Sequence, residues 1–112
     1  MDNDARDSCL RAIRLVARNA RIAASVDRMS TQYAHALESA DRLIERAQRY
    51  YLTMKQGHQE TERQVRLVLV ALVEARQLTL AMAGASTDPE DLDQAAGKVE
   101  RAIDRATPPT VA

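Results

Sequence analysis

The side chains of this sequence best equipped for chemistry are its arginines. Arg11, Arg14, Arg18, Arg21 and Arg28 recur at intervals of three, four and seven residues, which aligns them on one face of a helix. His35, Arg42, Arg46 and Arg49 extend the row wherever the helix continues. A guanidinium row of one sign suits phosphates and carboxylates, because each group makes bidentate contacts and each neutralised phosphate releases counterions. The charge is segregated as well as aligned: residues 8–56 carry nine basic and four acidic groups, whereas residues 57–112 carry six and nine. Over the whole chain the charges cancel, the pI is near 6.7, and no aromatics alternate with the arginines. Those features argue against a dedicated nucleic-acid binder. The acidic segment "DPEDLDQ" also offers the row partial compensation from within. The row is read first as an electrostatic docking face for a protein partner, against the plainer alternative of a solvated surface. Nucleic acid is the second reading and an anionic membrane surface the third.

Other chemistry is poorly supplied. A di-iron site in a helical bundle needs two Glu-x-x-His pairs and two further glutamates. The chain has two histidines: His35 precedes Glu38 in the reversed order, and His58 stands near Glu60 beside a helix break. No metal site is expected. No Ser or Cys shares a suitable pocket spacing with a His and an acid, so nucleophilic catalysis is not expected either. Tyr50 and Tyr51 could stack a ligand, but they fit better as one half-exposed and one core side chain. Cys9, the sole cysteine, rules out an intrachain disulfide and falls on the apolar side of the first helix as a small buried hydrophobe. With no cofactor motif in view, the expectation is a protein that is not an enzyme. The acidic start "MDNDARDS" shows no secretory signal, and the longest apolar stretch is too short for a bilayer. A soluble, cytoplasmic protein is expected. Fourteen Arg against two Lys hint at a GC-rich bacterial genome.

The elements that must position these side chains follow from composition. At 112 residues the chain is one domain large enough for a real core. Its 46% hydrophobic and 29% charged residues make it globular rather than disordered. Phe and Trp are absent, and Ala, Leu, Val and Ile supply most of the core, which fits closely spaced helices better than a sheet. The predicted fold is all-α: an antiparallel helical bundle or long helical hairpin with a coiled-coil seam, assembled into an oligomer. Gly57 and Gly84 suit the position just past a helix end. Asp88 suits an N-cap, Pro89 the first helical position, and Glu90 and Asp91 the positive end of the dipole. Helices are expected over about 4–28, 31–56, 59–83 and 89–106 in a single domain, 1–107, followed by a frayed tail at 108–112.

The break near residue 30, with Ser30 or Thr31 as cap, competes with an unbroken helix. With Cys9 at position a, the a and d positions run Ala5, Cys9, Ala12, Val16, Asn19, Ala23, Val26, Ser30, Tyr33, Leu37, Ala40, Ile44, Ala47, Tyr51 and Met54. One register passes through the proposed break, so residues 4–56 could equally form one rod of about 80 Å. Asn19 is either a polar residue that fixes seam register or one turned to solvent. Leu15, Ile22, Met29, Ala36 and Leu43 recur at g and widen the apolar face beyond a two-stranded zipper.

The third helix poses the sharpest packing problem. In "VRLVLVALVEA", residues 65–75, the stretch from Leu67 to Val73 has no polar side. A helix that is apolar all round needs cover all round. Leaving a Val or Leu side chain exposed forfeits about 1.5–3 kcal/mol. Leu67, Leu69, Val70 and Val73 are therefore expected to form an oligomer or partner interface, with a second copy of the chain the favoured cover. The other outcomes are a different protein's helix, or a tight monomer with this helix at its centre. The leading expectation is a helical interaction protein: an adaptor, assembly factor or secretion-type chaperone. The alternative is a nucleic-acid-binding regulator or packaging protein using the N-terminal arginine row.

Overall fold

The structure, a computed structural model, describes residues 4–58, 60–84 and 87–108. Among them four helices follow one another: α1 (Asp4–Ala24), α2 (Thr31–Gly57), α3 (Glu62–Ala83) and α4 (Pro89–Ala106). Residues 4–57 thus hold two helices and no single rod. The break is built by short polar side chains that compete for the backbone. Ser25 Oγ donates to the Ile22 carbonyl at 2.8 Å, and Asp27 Oδ1 accepts from the Met29 N–H at 2.9 Å. Ser30 caps α2, accepting from the Tyr33 N–H at 3.1 Å while its hydroxyl donates to the Asp27 carbonyl at 2.6 Å. The chain leaves α1 at Ala24, earlier than position 28, because these bonds take over from the helical ladder.

The remaining ends also have local causes. Gly57 is the last residue of α2, and His58 takes the left-handed conformation beyond it at φ 54°. Thr61 caps α3, accepting from the Gln64 N–H at 3.1 Å, so that helix starts later than position 59, which itself lies outside the described residues. Gly84 ends α3 with an ordinary negative φ of −69°, its N–H donating to the Leu80 and Ala81 carbonyls. It is therefore not the left-handed terminator its type suggested. Asp88 stands at the N-cap of α4 with Pro89 behind it, but its side chain makes no capping bond. Of the expected frayed tail, residues 109–112 lie outside the described residues.

Contacts between distant residues give the helix directions. Cys9 donates to the Ala47 carbonyl and Asn19 to Ser39 Oγ, so α2 runs back along α1. Tyr33, at the start of α2, reaches Met82 at the end of α3. Gln64, at the start of α3, caps the Ala106 carbonyl at the end of α4. Arg21, late in α1, reaches Asp93 and Glu100 in α4. The result is an antiparallel four-helix bundle measuring 43 × 24 × 22 Å.

Its cross-section is a lozenge: α1 and α3 meet across the short diagonal, whereas the backbones of α2 and α4 stand apart on the long one. That geometry explains a departure from the expected face of α1. Leu10, Ile13, Ala17 and Ala20 are buried along with Cys9, Ala12, Val16 and Ala23, because α1 packs against three helices. The g-position residues Leu15, Ile22 and Met29 point away and stay exposed. Asn19 is half-buried, donating to the Leu15 carbonyl as well as to Ser39. The core between the helices is aliphatic and small, with Ala40, Ala47, Ala71, Ala75 and Ala96 at zero exposure. Alanine at such positions lets helix axes approach toward the lower end of the ~8–10 Å range.

Candidate functional site

Among the described residues, four of the eight exposed large hydrophobic side chains lie on the face of α3 opposite the core. The buried side of α3 is Val68, Ala71, Leu72, Ala75, Leu78, Thr79 and Met82. At about 100° per residue, the opposite side is Arg66, Leu69, Val70, Val73, Gln77 and Leu80. Leu69 is 39% exposed, Val70 49%, Val73 43% and Leu80 72%. The helix that lacked a polar side therefore remains uncovered on one side, and it does not lie enclosed at the centre of a monomer. Leu67 departs from the expected group: it is half-buried and packs against the core. Leu80 was not among the expected interface residues, although it follows Val73 by seven positions and so continues the same row.

Charges bracket this row on both sides. Glu62 and Arg76 lie on the flank that also carries Leu69, and Arg63 and Glu74 lie on the flank that also carries Val70. Glu62, Arg63, Arg66 and Arg76 are exposed and Glu74 is half-buried. None of them forms an ion pair among the described residues.

The arginine row does not survive as one face, because it is divided among several surroundings. Arg21 turns to α4, where Nη2 meets Glu100 at 2.6 Å and Nη1 meets Asp93 at 3.4 Å. The Arg21 hydrogen bond lowers the Glu100 pKa, with burial opposing, and the nearby charge of Arg14 adds to the lowering. Arg28 lies in the α1–α2 connection and donates to the Met82 and Ala83 carbonyls at the end of α3. Cations are favourable at that negative end of the helix dipole. Arg42 makes a loose, exposed pair with Glu38 at 3.7 Å. Arg11 and Arg46 stand on either side of a shallow hollow between α1 and α2, which Leu15, Leu43 and Tyr50 also line. Arg14, Arg18 and Arg49 are exposed without an ion pair among the described residues. The sequence row thus becomes one α4-facing arginine, one helix-capping arginine and a looser basic surface on α1 and α2.

The remaining candidates for chemistry are dispersed or inert. His35 and His58 are both exposed, and among the described residues no three His, Cys, Asp or Glu side chains gather where a metal ion could sit. The Cys9 thiol is fully buried and pushed up to about 12 by that burial, which leaves negligible thiolate at neutral pH. Tyr51 is buried in the core and Tyr50 half-buried at the hollow. Among the described residues, no helix is long and apolar enough to cross a membrane.

One buried charge pair is absent from the sequence expectations. Arg6 Nη1 donates to Glu60 Oε1, joining the start of α1 to the α2–α3 connection, with side-chain exposures of 10% and 8%. No spacing rule links residues 54 positions apart, so only the fold reveals the pair. Comparison with protein-family models, with curated proteins and with solved structures returned no match.

Proposed function

We propose that this chain is a non-enzymatic helical interaction module, of the adaptor, assembly-factor or secretion-type chaperone kind. It works by offering the outward row of α3 to another helix. The observation that supports this reading is the alignment of Leu69, Val70, Val73 and Leu80, all exposed, on one face of a well-formed helix. Single exposed apolar residues are ordinary on a protein surface, but a contiguous row marks a contact surface. The basic groups of α1 and α2 serve as a second, electrostatic docking face for an acidic partner. Light scattering and hydrophobic-dye binding test the proposal on the purified chain. An assembly larger than the 12.4 kDa monomer, or a monomer that binds dye through α3, is the expected result. A 12.4 kDa particle that binds no dye would overturn it.

A second reading is a nucleic-acid-binding regulator or packaging protein. It is favoured by Arg11, Arg14, Arg18, Arg46 and Arg49, which are exposed without ion pairs among the described residues. A salt titration of binding to duplex DNA and to RNA separates the two readings. Each phosphate contact should contribute about −0.9 to the log–log slope on duplex DNA. Absence of binding at low salt excludes this second reading.

A further inference from the structure

The charges beside the exposed row of α3 have a symmetry that selects an occupant. We propose that Leu69, Val70 and Val73 of the row are covered by α3 of a second copy of this chain, antiparallel to the first, across a two-fold axis at Leu69, a register that sets Leu80 opposite position 58, beyond the start of the second α3. The inference rests on the interaction-module reading above and names its partner and register.

In a two-fold antiparallel helix pair, each flank faces the same flank of the other copy, running in reverse. A residue therefore meets the one equally far beyond the axis. Glu62 and Arg76 share one flank, and their midpoint is residue 69. Arg63 and Glu74 share the other flank, and their midpoint falls between residues 68 and 69. The two midpoints differ by half a residue, about 0.8 Å along a helix. A single axis therefore pairs opposite charges on both flanks at once, giving four ion pairs across the contact. All four side-chain types are without ion pairs among the described residues of the single chain.

The midline of the row agrees with that register. Arg66 lies on the midline itself, so a parallel two-fold pairing would set it against its own copy, charge against like charge. The antiparallel register moves it opposite position 72, beside Val73 of the second copy, where its aliphatic stem covers apolar surface while the guanidinium reaches water. Leu69 comes to lie near its own copy at the axis. Isologous contacts of this kind close on themselves and limit assembly to a dimer.

The test combines charge reversal with a distance measurement on the full chain. Arg76→Glu places four acidic groups on one flank of the contact and should raise the dimer Kd about tenfold at low salt. Adding Glu62→Arg to the same chain restores opposite charges and should return Kd to within about threefold of the original. Both positions are exposed, so circular dichroism should show unchanged helicity. For the direction, nitroxide labels are placed on Ala83→Cys in a Cys9→Ala background. The antiparallel register separates the two labelled backbones by about 42 Å along the helices, whereas a parallel pair would hold them at about the interhelical spacing. Compensation together with the long distance supports the proposal. A short distance, a dimer indifferent to Arg76→Glu, or a double variant as weak as the single one overturns it. A dye-binding monomer also overturns this pairing, while leaving the interaction-module reading in place.

Discussion

Arg28 and Tyr33 close the end of α3 together: the Arg28 guanidinium lies 4.4 Å from the Tyr33 ring centroid, and both side chains donate to the Met82 carbonyl at 2.6 Å. The last carbonyls of a helix lack intrahelical partners, and here two residues about fifty positions earlier in the chain supply them. Tyr33→Phe removes one of the two donors and should cost about 1 kcal/mol. Arg28→Ala removes a charged donor and the stacked cation and should cost about 2 kcal/mol. Denaturant unfolding of the two single variants and the double variant would measure both. The double variant should cost more than the sum, because the Met82 carbonyl then loses both side-chain donors; simple additivity would refute shared capping.

The Arg6–Glu60 pair gives a second expectation. Both side chains are almost fully removed from solvent, so Glu60→Gln replaces the carboxylate that meets Arg6 Nη1 by a neutral amide, while Asp7 stays 3.3 Å from Arg6 Nε. A loss of about 1.5 kcal/mol is expected, the worth of one charge-assisted hydrogen bond, because Asp7 still compensates the guanidinium. The helix directions depend on other contacts, so the circular dichroism signal below the transition should stay the same. A loss below about 0.5 kcal/mol would refute a stabilising role for the Glu60 charge.

Acid should weaken the α1–α4 contact through Glu100. Its carboxyl titrates below the ordinary range because Arg21 hydrogen-bonds to it, and Arg14 and Arg101 add attraction from nearby. A depressed native pKa means stability that is present above the ordinary carboxylate range and is lost as pH falls through the native value. Both partners are about two-fifths exposed, so the effect is screened and should stay within about 1 kcal/mol. Glu100→Gln should be less stable than the parent at pH 7, and the two unfolding midpoints should converge in acid. A gap that persists at low pH would exclude the ion pair as its cause.

The exposed row permits a sharp separation of folding from association. Val73→Glu places a charge on a side chain that is already 43% exposed within the single chain. The variant should keep its helicity and its unfolding midpoint at high dilution while losing association in sedimentation equilibrium. The same substitution at Val68, which is fully buried, should unfold the protein, because it buries an unpaired charge. If Val73→Glu also unfolds the chain at high dilution, the row is part of the core and not a surface.

Much of this architecture was legible because local chemistry and burial agreed. Ser30, the Asp88–Pro89 pair and the span of α4 fall where cap and breaker preferences place them. The heptad reading of residues 4–56 was ambiguous for a physical reason. Cys9 and Ala47 face each other, so both helices bury the same register against one another and the pattern runs through their connection. Periodicity reports which side is buried, and it does not report whether the chain turns back. The polar bonds of Ser25 and Asp27 settle that turn, and such bonds leave little trace in hydrophobic pattern. Arg28 illustrates the opposite failure. By spacing it belongs to a row, yet it lies beyond the end of α1 and reaches a carbonyl 54 residues away. The apolar face of α3 was legible as a problem of cover, but which residues stay outside depended on the lozenge packing that shields Leu67 and leaves Leu80 open.

Because α3 touches every other helix while α2 and α4 stay apart, the row sits on a central strut and not on a peripheral one. A partner that grips it pulls on the molecule's own backbone of support. The side of α3 that meets the partner and the side that holds the fold are made of different residues, so detachment and internal loosening are opposed by separate sets of contacts.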